Sequence, residues 1–308
     1  MTSVLGVKPG SFRLVSRRER GGWLFPPVAK GRVAALRVLL YLFVPVDVLL
    51  TTGWVRQHGD VPTELYAPLA IGRLLTLPTP TPLLVDGVLV ALLACALVAA
   101  TGRLPRLAGT AVAVLYLEWM VIAFSYGKVD HDRFAFLVAL AVLPTVGRAR
   151  LGDSTADGRA GWAVRNIQLA VVATYVLAAV AKYRFGGGLE WLDSTTLLRA
   201  VVRRGTALAD PLAEWPPLLH AAQYGVVALE LASPLLLVRG RVGRAALWAA
   251  AAFHAVTFAT ITIIFLPHVL CLAAFVPLER AKAWLTSLVS GARHLDPREL
   301  LVGADVAR

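Results

Sequence analysis

The chain has 308 residues, of which 57% are hydrophobic and 16% charged, with a mean hydropathy of +0.68. That balance leaves too little polar surface to cover a water-soluble globule, so an integral membrane protein is expected. The net charge of +12 suggests nucleic acid at first, but the basic residues stand in short blocks between apolar runs, without interleaved aromatics. Membrane orientation and the anionic lipid of the bilayer account for them, and no nucleic-acid partner is expected.

Residues 1–32 carry Lys8, Arg13, Arg17, Arg18, Arg20, Lys30 and Arg32 but no apolar core, so they read as a basic cytosolic arm rather than a cleavable signal peptide. A bilayer core takes about 20 apolar residues per helix. Runs of that kind cover 33–53, 83–102, 107–127, the shorter 132–147, 164–183 and 217–238, and a long stretch over 245–278. The last is too long for one crossing. Phe265-Leu266-Pro267-His268 offers a break in it, because proline cannot continue the hydrogen-bond ladder. The expected fold is therefore all-α, a polytopic bundle of about eight transmembrane helices filling one domain over 33–280, with a cytosolic tail at 281–308. Between the spans, 76–82 reads as an extended connector, and 184–216 as short helices lying over the membrane face. Cys95 and Cys271 fall inside apolar runs and read as small buried thiols.

Eight crossings put both termini on one side. On that side fall 21 of the basic residues, against 9 on the other and Arg37 within a span. The positive-inside rule then makes the termini cytosolic and the protein a multi-pass component of the cell membrane.

This orientation fixes the depth of the ionisable residues. Lys182 closes the uncharged run Ile167 to Ala181 at the outer side, just before Gly186-Gly187-Gly188. His131 opens the fourth span on the same side, and His254 lies at mid-membrane or slightly beyond. Asp47 and Glu118 also fall in the outer halves of their spans, so all five are expected to face one extracytoplasmic cavity. Position alone leaves two readings for each. Lys182 is a snorkelling anchor or a chemical group; His131 is a solvated loop histidine or a site residue; His254 is an interhelical hydrogen-bonding group or a ligand contact. Asp47, Glu118 and Glu230 have a structural alternative as partners of Arg37 or of backbone groups. Trp119, Phe124, Tyr126, Trp191 and Trp215 suit an aromatic belt.

Local strings add to this reading. Thr174 to Trp191, TYVLAAVAKYRFGGGLEW, resembles the helix end of the HTTM family, the membrane domain shared with vitamin K-dependent gamma-glutamyl carboxylases. Tyr175, Ala178-Ala179, Lys182 and Trp191 match its tyrosine, small pair, lysine and following tryptophan. VDHDRFAFLVALAVLP is similar to that family's histidine-bearing helix start and puts His131 at the histidine. WAAAAFHAVTF, with Phe253 and His254, resembles its aromatic-His helix, and Glu230-Leu231-Ala232-Ser233-Pro234-Leu235 its Glu-containing helix. The carboxylases have two adjacent lysines where this chain has Ala181-Lys182, and they carry a large extracytoplasmic β-rich region beyond the membrane domain.

The resemblance implies a carboxylase-like enzyme with reduced vitamin K, or another menaquinol-type quinol, as cofactor. Lys182 would be the base toward that quinol, a role that requires a neutral amine. His131 would stabilise the quinol oxygen, with His254, Trp191 and Tyr175 as cofactor-binding residues. The substrate would be a secreted peptide or a small acidic molecule. No metal site is expected. Two other functions compete: an accessory membrane protein for maturation or export of a secreted peptide, and, less favoured for want of an internal repeat, a transporter.

Overall fold

A computed structural model describes residues 22–127 and 129–280, so most of the basic arm and the whole 281–308 tail lie outside the described residues. The fold is all-α apart from one two-residue ladder, β1 (Val28–Ala29) paired antiparallel with β2 (Ala156–Asp157).

The first helix, α1 (Lys30–Val46), contains Pro45 near its end, which has no N–H to give to the preceding turn. Directly after it the chain widens into a π turn, Asp47–Thr51, then tightens into the 3-10 segment Gly53–Asp60. A short α2 (Ala70–Leu74) leads through the extended connector to α3 (Pro82–Ala100), which starts with Pro82 in its first turn and the Thr81 hydroxyl accepting from Leu84 N at 3.2 Å. Next come α4 (Leu107–Phe124) and α5 (Phe134–Val142), the latter prolonged by a 3-10 turn over Leu143–Val146.

α6 (Gly158–Phe185) is the longest element, with 28 residues. Asp157 caps it by accepting from Arg159 N at 2.6 Å and Ala160 N at 3.2 Å. At 1.5 Å per residue it measures about 42 Å, more than the roughly 30 Å of a bilayer core, so its ends reach headgroup depth. The segment over 184–216 forms the short helices expected of it: α7 (Glu190–Asp193), α8 (Thr196–Arg204) and α9 (Asp210–Ala213). α10 (Pro216–Ala232) continues as a 3-10 turn, Ser233–Leu237. α11 (Arg241–Ile261) and α12 (Leu266–Cys271) complete the bundle.

The break in the last apolar run falls earlier than the proline suggested. α11 stops at Ile261, Thr262 turns left-handed at φ 54°, and Pro267 sits in the first turn of α12, where its missing N–H costs nothing. Proline here starts a helix rather than ending one. Five of the expected spans are helices long and apolar enough to cross a membrane: Lys30–Thr51, Pro82–Ala100, Leu107–Phe124, Gly158–Phe185 and Arg241–Ile261. The others are helical but shorter, so the chain is an all-α membrane protein by the length and composition of its helices.

Side chains from α1, α3, α4, α5 and α6 form one core, with Leu36, Leu40, Tyr116, Trp119, Phe136 and Ile167 fully buried. A small second cluster of Val201, Ala209, Leu219 and Ile261 ties the short helices to α10 and α11. At one end of the bundle, Arg32 makes a two-pronged bond to Glu279 at 2.8 and 2.7 Å, and β1 pairs with β2. The start of α1, the loop before α6 and the end of the described chain therefore meet at that end. Lys182 lies at the other.

Two placements correct the sequence reading. Asp47 does not face an open cavity: Tyr116 Oη donates to it at 2.7 Å, Arg133 Nη2 at 3.0 Å, and Thr51 Oγ1 also donates. A carboxylate with no exposure needs this much compensation. Its cationic partner is Arg133, not Arg37, whose guanidinium instead donates to Leu143 O and Gly147 O, both at 2.6 Å. Trp119 and Phe124 are core residues rather than belt residues; Trp119 Nε1 donates to Thr52 Oγ1 at 2.9 Å inside the bundle. Cys271 is buried, Cys95 half-buried, and both are free thiols.

Candidate functional site

A cavity of about 250 Å³ opens between the C-terminal halves of α6, α10 and α11, the 3-10 turn His131–Arg133 and the start of α12. Lys182, His131, His254, Tyr175 and Trp191 all line it, as does Glu230. Asp47 and Glu118 do not. Glu118, on α4, is 8% exposed and its Oε1 has no hydrogen-bond partner among the described residues, an arrangement for which the structure offers no account.

Each functional side chain has a local reason for its position. Lys182 sits one turn before the end of α6, which is closed by the Gly186 N–H donating to Lys182 O at 2.8 Å. Gly186 is required by closeness: a Cβ there would meet the Trp191 indole at 2.6 Å. Gly187 and Gly188 then turn at φ 97° and 72°, conformations that side chains disfavour, and swing α7 back over the helix end. This fold-back sets Lys182 Nζ 5.4 Å from the centre of the Trp191 ring. On its other side Nζ lies 2.5 Å from Glu230 Oε1. The lysine side chain keeps 22% exposure and the glutamate only 6%, so the pair forms a rim between cavity and water.

Deeper in, Tyr175 Oη and His254 Nε2 are 2.7 Å apart. With the hydroxyl donating, the imidazole proton falls on Nδ1, a buried atom with no partner among the described residues. His268 packs edge-on against Tyr175, with ring centres 4.6 Å apart, and 5.5 Å from His254. It is 2% exposed, and neither of its ring nitrogens has a hydrogen-bond partner among the described residues. Phe253, Ile261, Ile263 and Phe265 supply apolar wall. His131 stands 6.0 Å from Phe265 at the mouth, on a turn held in place from behind: Arg133 Nη1 donates to Asp132 at 2.7 Å while Nη2 reaches Asp47. Asp47 thus acts on the site indirectly, by fixing the turn that carries His131.

Two further residues escaped the sequence reading as site residues. The sequence reading takes His268 as part of a helix break and, for want of ligand spacing to His131 and His254, not as a metal ligand, although a histidine in an apolar run is the same signal that singled out His254. Gln223 was passed over within α10; it is 1% exposed and donates to Leu192 O at 3.0 Å and Ser194 O at 3.1 Å, and also to Trp191 O, while accepting from Leu197 N at 3.1 Å. One amide therefore clasps α7 and α8 onto the bundle and holds Trp191 over Lys182. Its signal was an uncharged polar side chain in an otherwise apolar segment, which periodicity does not weigh.

Chemically the cavity joins a paired amine and carboxylate at the rim to imidazole and phenol groups in an apolar interior. Such a set can exchange a proton with a weakly acidic hydroxyl and hold an oxygen in hydrogen-bond reach. Among the described residues no group of three or more His, Cys, Asp or Glu side chains is arranged to hold a metal ion. No family model matches the chain, nor does any curated protein or solved structure.

Proposed function

We propose that this chain is a membrane enzyme that takes a proton from a lipid-soluble quinol and, as its HTTM-like motifs imply, is linked through that quinol to carboxylation or a related modification of an acidic substrate. The observation that carries this reading is the Lys182–Glu230 pair on the rim of an apolar cavity whose deeper wall holds Tyr175, His254 and His268.

The residues present fit the headgroup of such a molecule. Buried nitrogens of His254 and His268 and the Oε2 of Glu230 lack partners among the described residues, as sites awaiting a hydroxyl would. At about 250 Å³ the cavity falls below the roughly 300–1,000 Å³ of pockets that engulf a drug-sized ligand. It therefore takes a ring and leaves an isoprenoid tail in the bilayer. When bound, a reduced quinone supplies the reducing equivalents and, with O2, the strong base that the family's carboxylation uses.

The pairing refines the part assigned to Lys182. Lys182 Nζ already donates to Glu230 Oε1, so it does not meet a ring hydroxyl as a lone base. The pair works as a unit: Glu230 Oε2 is the free acceptor, and the ammonium stays to stabilise negative charge facing it. His131 at the mouth and His254 in the wall orient the ring oxygens, and Phe253 and Phe265 exclude water. Asp47, neutralised by Arg133, is a poor ion-carrying site, which weighs against a transporter.

The same reading has both termini in the cytosol, about eight crossings with the shorter helices packed inside the bundle, and the cavity open to the extracytoplasmic side of the cell membrane. The charge bias supports it, as does the contact of Arg32 with Glu279, which brings the two ends of the described chain together.

The test is quinol turnover by the purified full-length protein in nanodiscs, followed by the optical change of menaquinol oxidation. Lys182→Ala and Glu230→Gln should each lower it by about 10²–10⁴-fold, the usual worth of a positioned acid or base. Lys182→Arg, which keeps the positive charge beside Glu230, should retain more turnover than Lys182→Ala. Full turnover in all three variants would sink the proposal, and co-purification of a secreted peptide with those variants would favour the accessory role.

A further inference from the structure

A second cavity lies at the opposite end of the bundle, about 540 Å³ in volume, between the first turns of α1, the α3–α4 turn and residues 148–151. Its lining contains Arg37, Arg103, Arg148 and Arg150 and not one acidic residue. None of the four makes an ion pair with a described residue. The nearest acid in sequence, Asp153, accepts from Thr155 N at 2.9 Å; hydrogen bonding from the Thr155 side chain and then its backbone and, more weakly, the charges of Lys30 and Arg150 hold its carboxyl below the usual range.

Arg37 is the informative member. It is 2% exposed, its two terminal nitrogens are spent on the carbonyls of Leu143 and Gly147, and its Nε is buried without a partner among the described residues. A guanidinium so buried, compensated only by carbonyl dipoles, is a costly charge. Arg103, Arg148 and Arg150 are exposed at the rim above it. Ala34, Val38, Ala100, Ala149 and Leu151 supply apolar wall, with Thr101 and Gly102 beside them.

From this geometry we infer a binding site for the phosphate of an anionic phospholipid. The shared chemistry is a phosphate anion facing several guanidiniums. A lipid is favoured over a free anion because the apolar wall lies beside the charges, and because a site on the first turns of a membrane helix stands at headgroup depth. Bound there, the phosphate bridges α1, the α3–α4 turn and the loop before α6, and offsets the Arg37 charge. This site is separate from the Lys182 cavity and owes nothing to the reading of that cavity.

The experiment uses the full chain, delipidated in neutral detergent, with phosphatidylglycerol, phosphatidylcholine or inorganic phosphate added. Retained lipid is read by native mass spectrometry and stability by thermal unfolding. Phosphatidylglycerol should bind about tenfold or more tightly than phosphatidylcholine and raise the midpoint, as expected for several arginines near a headgroup. The exposed triple variant Arg103→Gln, Arg148→Gln, Arg150→Gln should lose that preference. The control triple Arg159→Gln, Arg241→Gln, Arg244→Gln, equal in charge but outside the cavity, should keep it. On unmodified protein, a photoactivatable phosphatidylglycerol should crosslink within 34–38, 100–103 or 148–151. Equal loss in both triples, full replacement of the lipid effect by inorganic phosphate, or crosslinks confined elsewhere would each overturn the assignment.

Discussion

Lys182 Nζ and Glu230 Oε1 meet at 2.5 Å across the gap between α6 and α10, and the glutamate is the more buried of the two. This pairing alters what removal of the lysine should do. A lysine at a cavity mouth carries little packing by itself, but its loss leaves a carboxylate in an apolar wall. Lys182→Ala should lower stability by about 1–3 kcal/mol, within the range for stranding a buried polar partner. Joint replacement, Lys182→Met with Glu230→Met, should recover most of it. A cycle of single and double variants in thermal unfolding checks this, and strict additivity would show that the two do not interact.

His268 makes the opposite case. Its ring nitrogens have no partner among the described residues, so exchange for an apolar ring breaks no internal bond. His268→Phe should be as stable as the parent or more so, yet bind a quinol analogue at least about tenfold more weakly, about 1.4 kcal/mol. Isothermal titration in detergent measures the affinity; unchanged binding would remove His268 from the site.

Gln223 is expected to control order in the segment that covers the cavity. In Gln223→Leu the carbonyls of Trp191, Leu192 and Ser194 lose their donor, and α7 and α8 lose their tie to α10. Hydrogen exchange over 190–204 should accelerate while α1 and α3 stay protected. Uniform acceleration throughout the bundle would mean a general loss of stability instead.

Acid should loosen the opposite end of the molecule. Burial tends to raise the Glu279 carboxyl, but its bonds to Arg32 and the arginine's charge outweigh burial and hold it below its ordinary 4.5. A carboxyl depressed by folding adds stability that is present above the unfolded value and lost as pH falls through the folded one. The thermal midpoint should therefore drop as pH goes below 4.5, and Glu279→Gln should flatten that drop. An acid limb identical in both proteins would show that Arg32 and Glu279 contribute nothing in solution.

The proposed orientation is open to labelling. With Cys95 and Cys271 replaced by alanine, a thiol at Leu189→Cys should react with an impermeant reagent outside the cell, and one at Arg159→Cys should not. The reverse pattern would place the Lys182 cavity on the cytosolic side.

Hydropathy by itself determined that the chain is a helical membrane protein, because the cost of exposing apolar surface to water is a property of composition and needs no partner. The sequence also marked Lys182, His131 and His254, since ionisable groups at helix ends and inside apolar runs stand out against their neighbours, while Tyr175 and Trp191 were marked only by the family-like strings. It misjudged residues whose role depends on how adjacent helices are rotated. Asp47 looked like a cavity residue until Arg133 and Tyr116, distant in sequence, were seen to close on it. Glu230 became the partner of Lys182, and His268 entered the same cavity, because α10 and α12 turn those faces toward α6. Arg37 was left to two carbonyls for the same reason. Which side chains meet is decided by the register and rotation of packed helices, which neither period nor composition encodes, and only the tertiary structure supplies them.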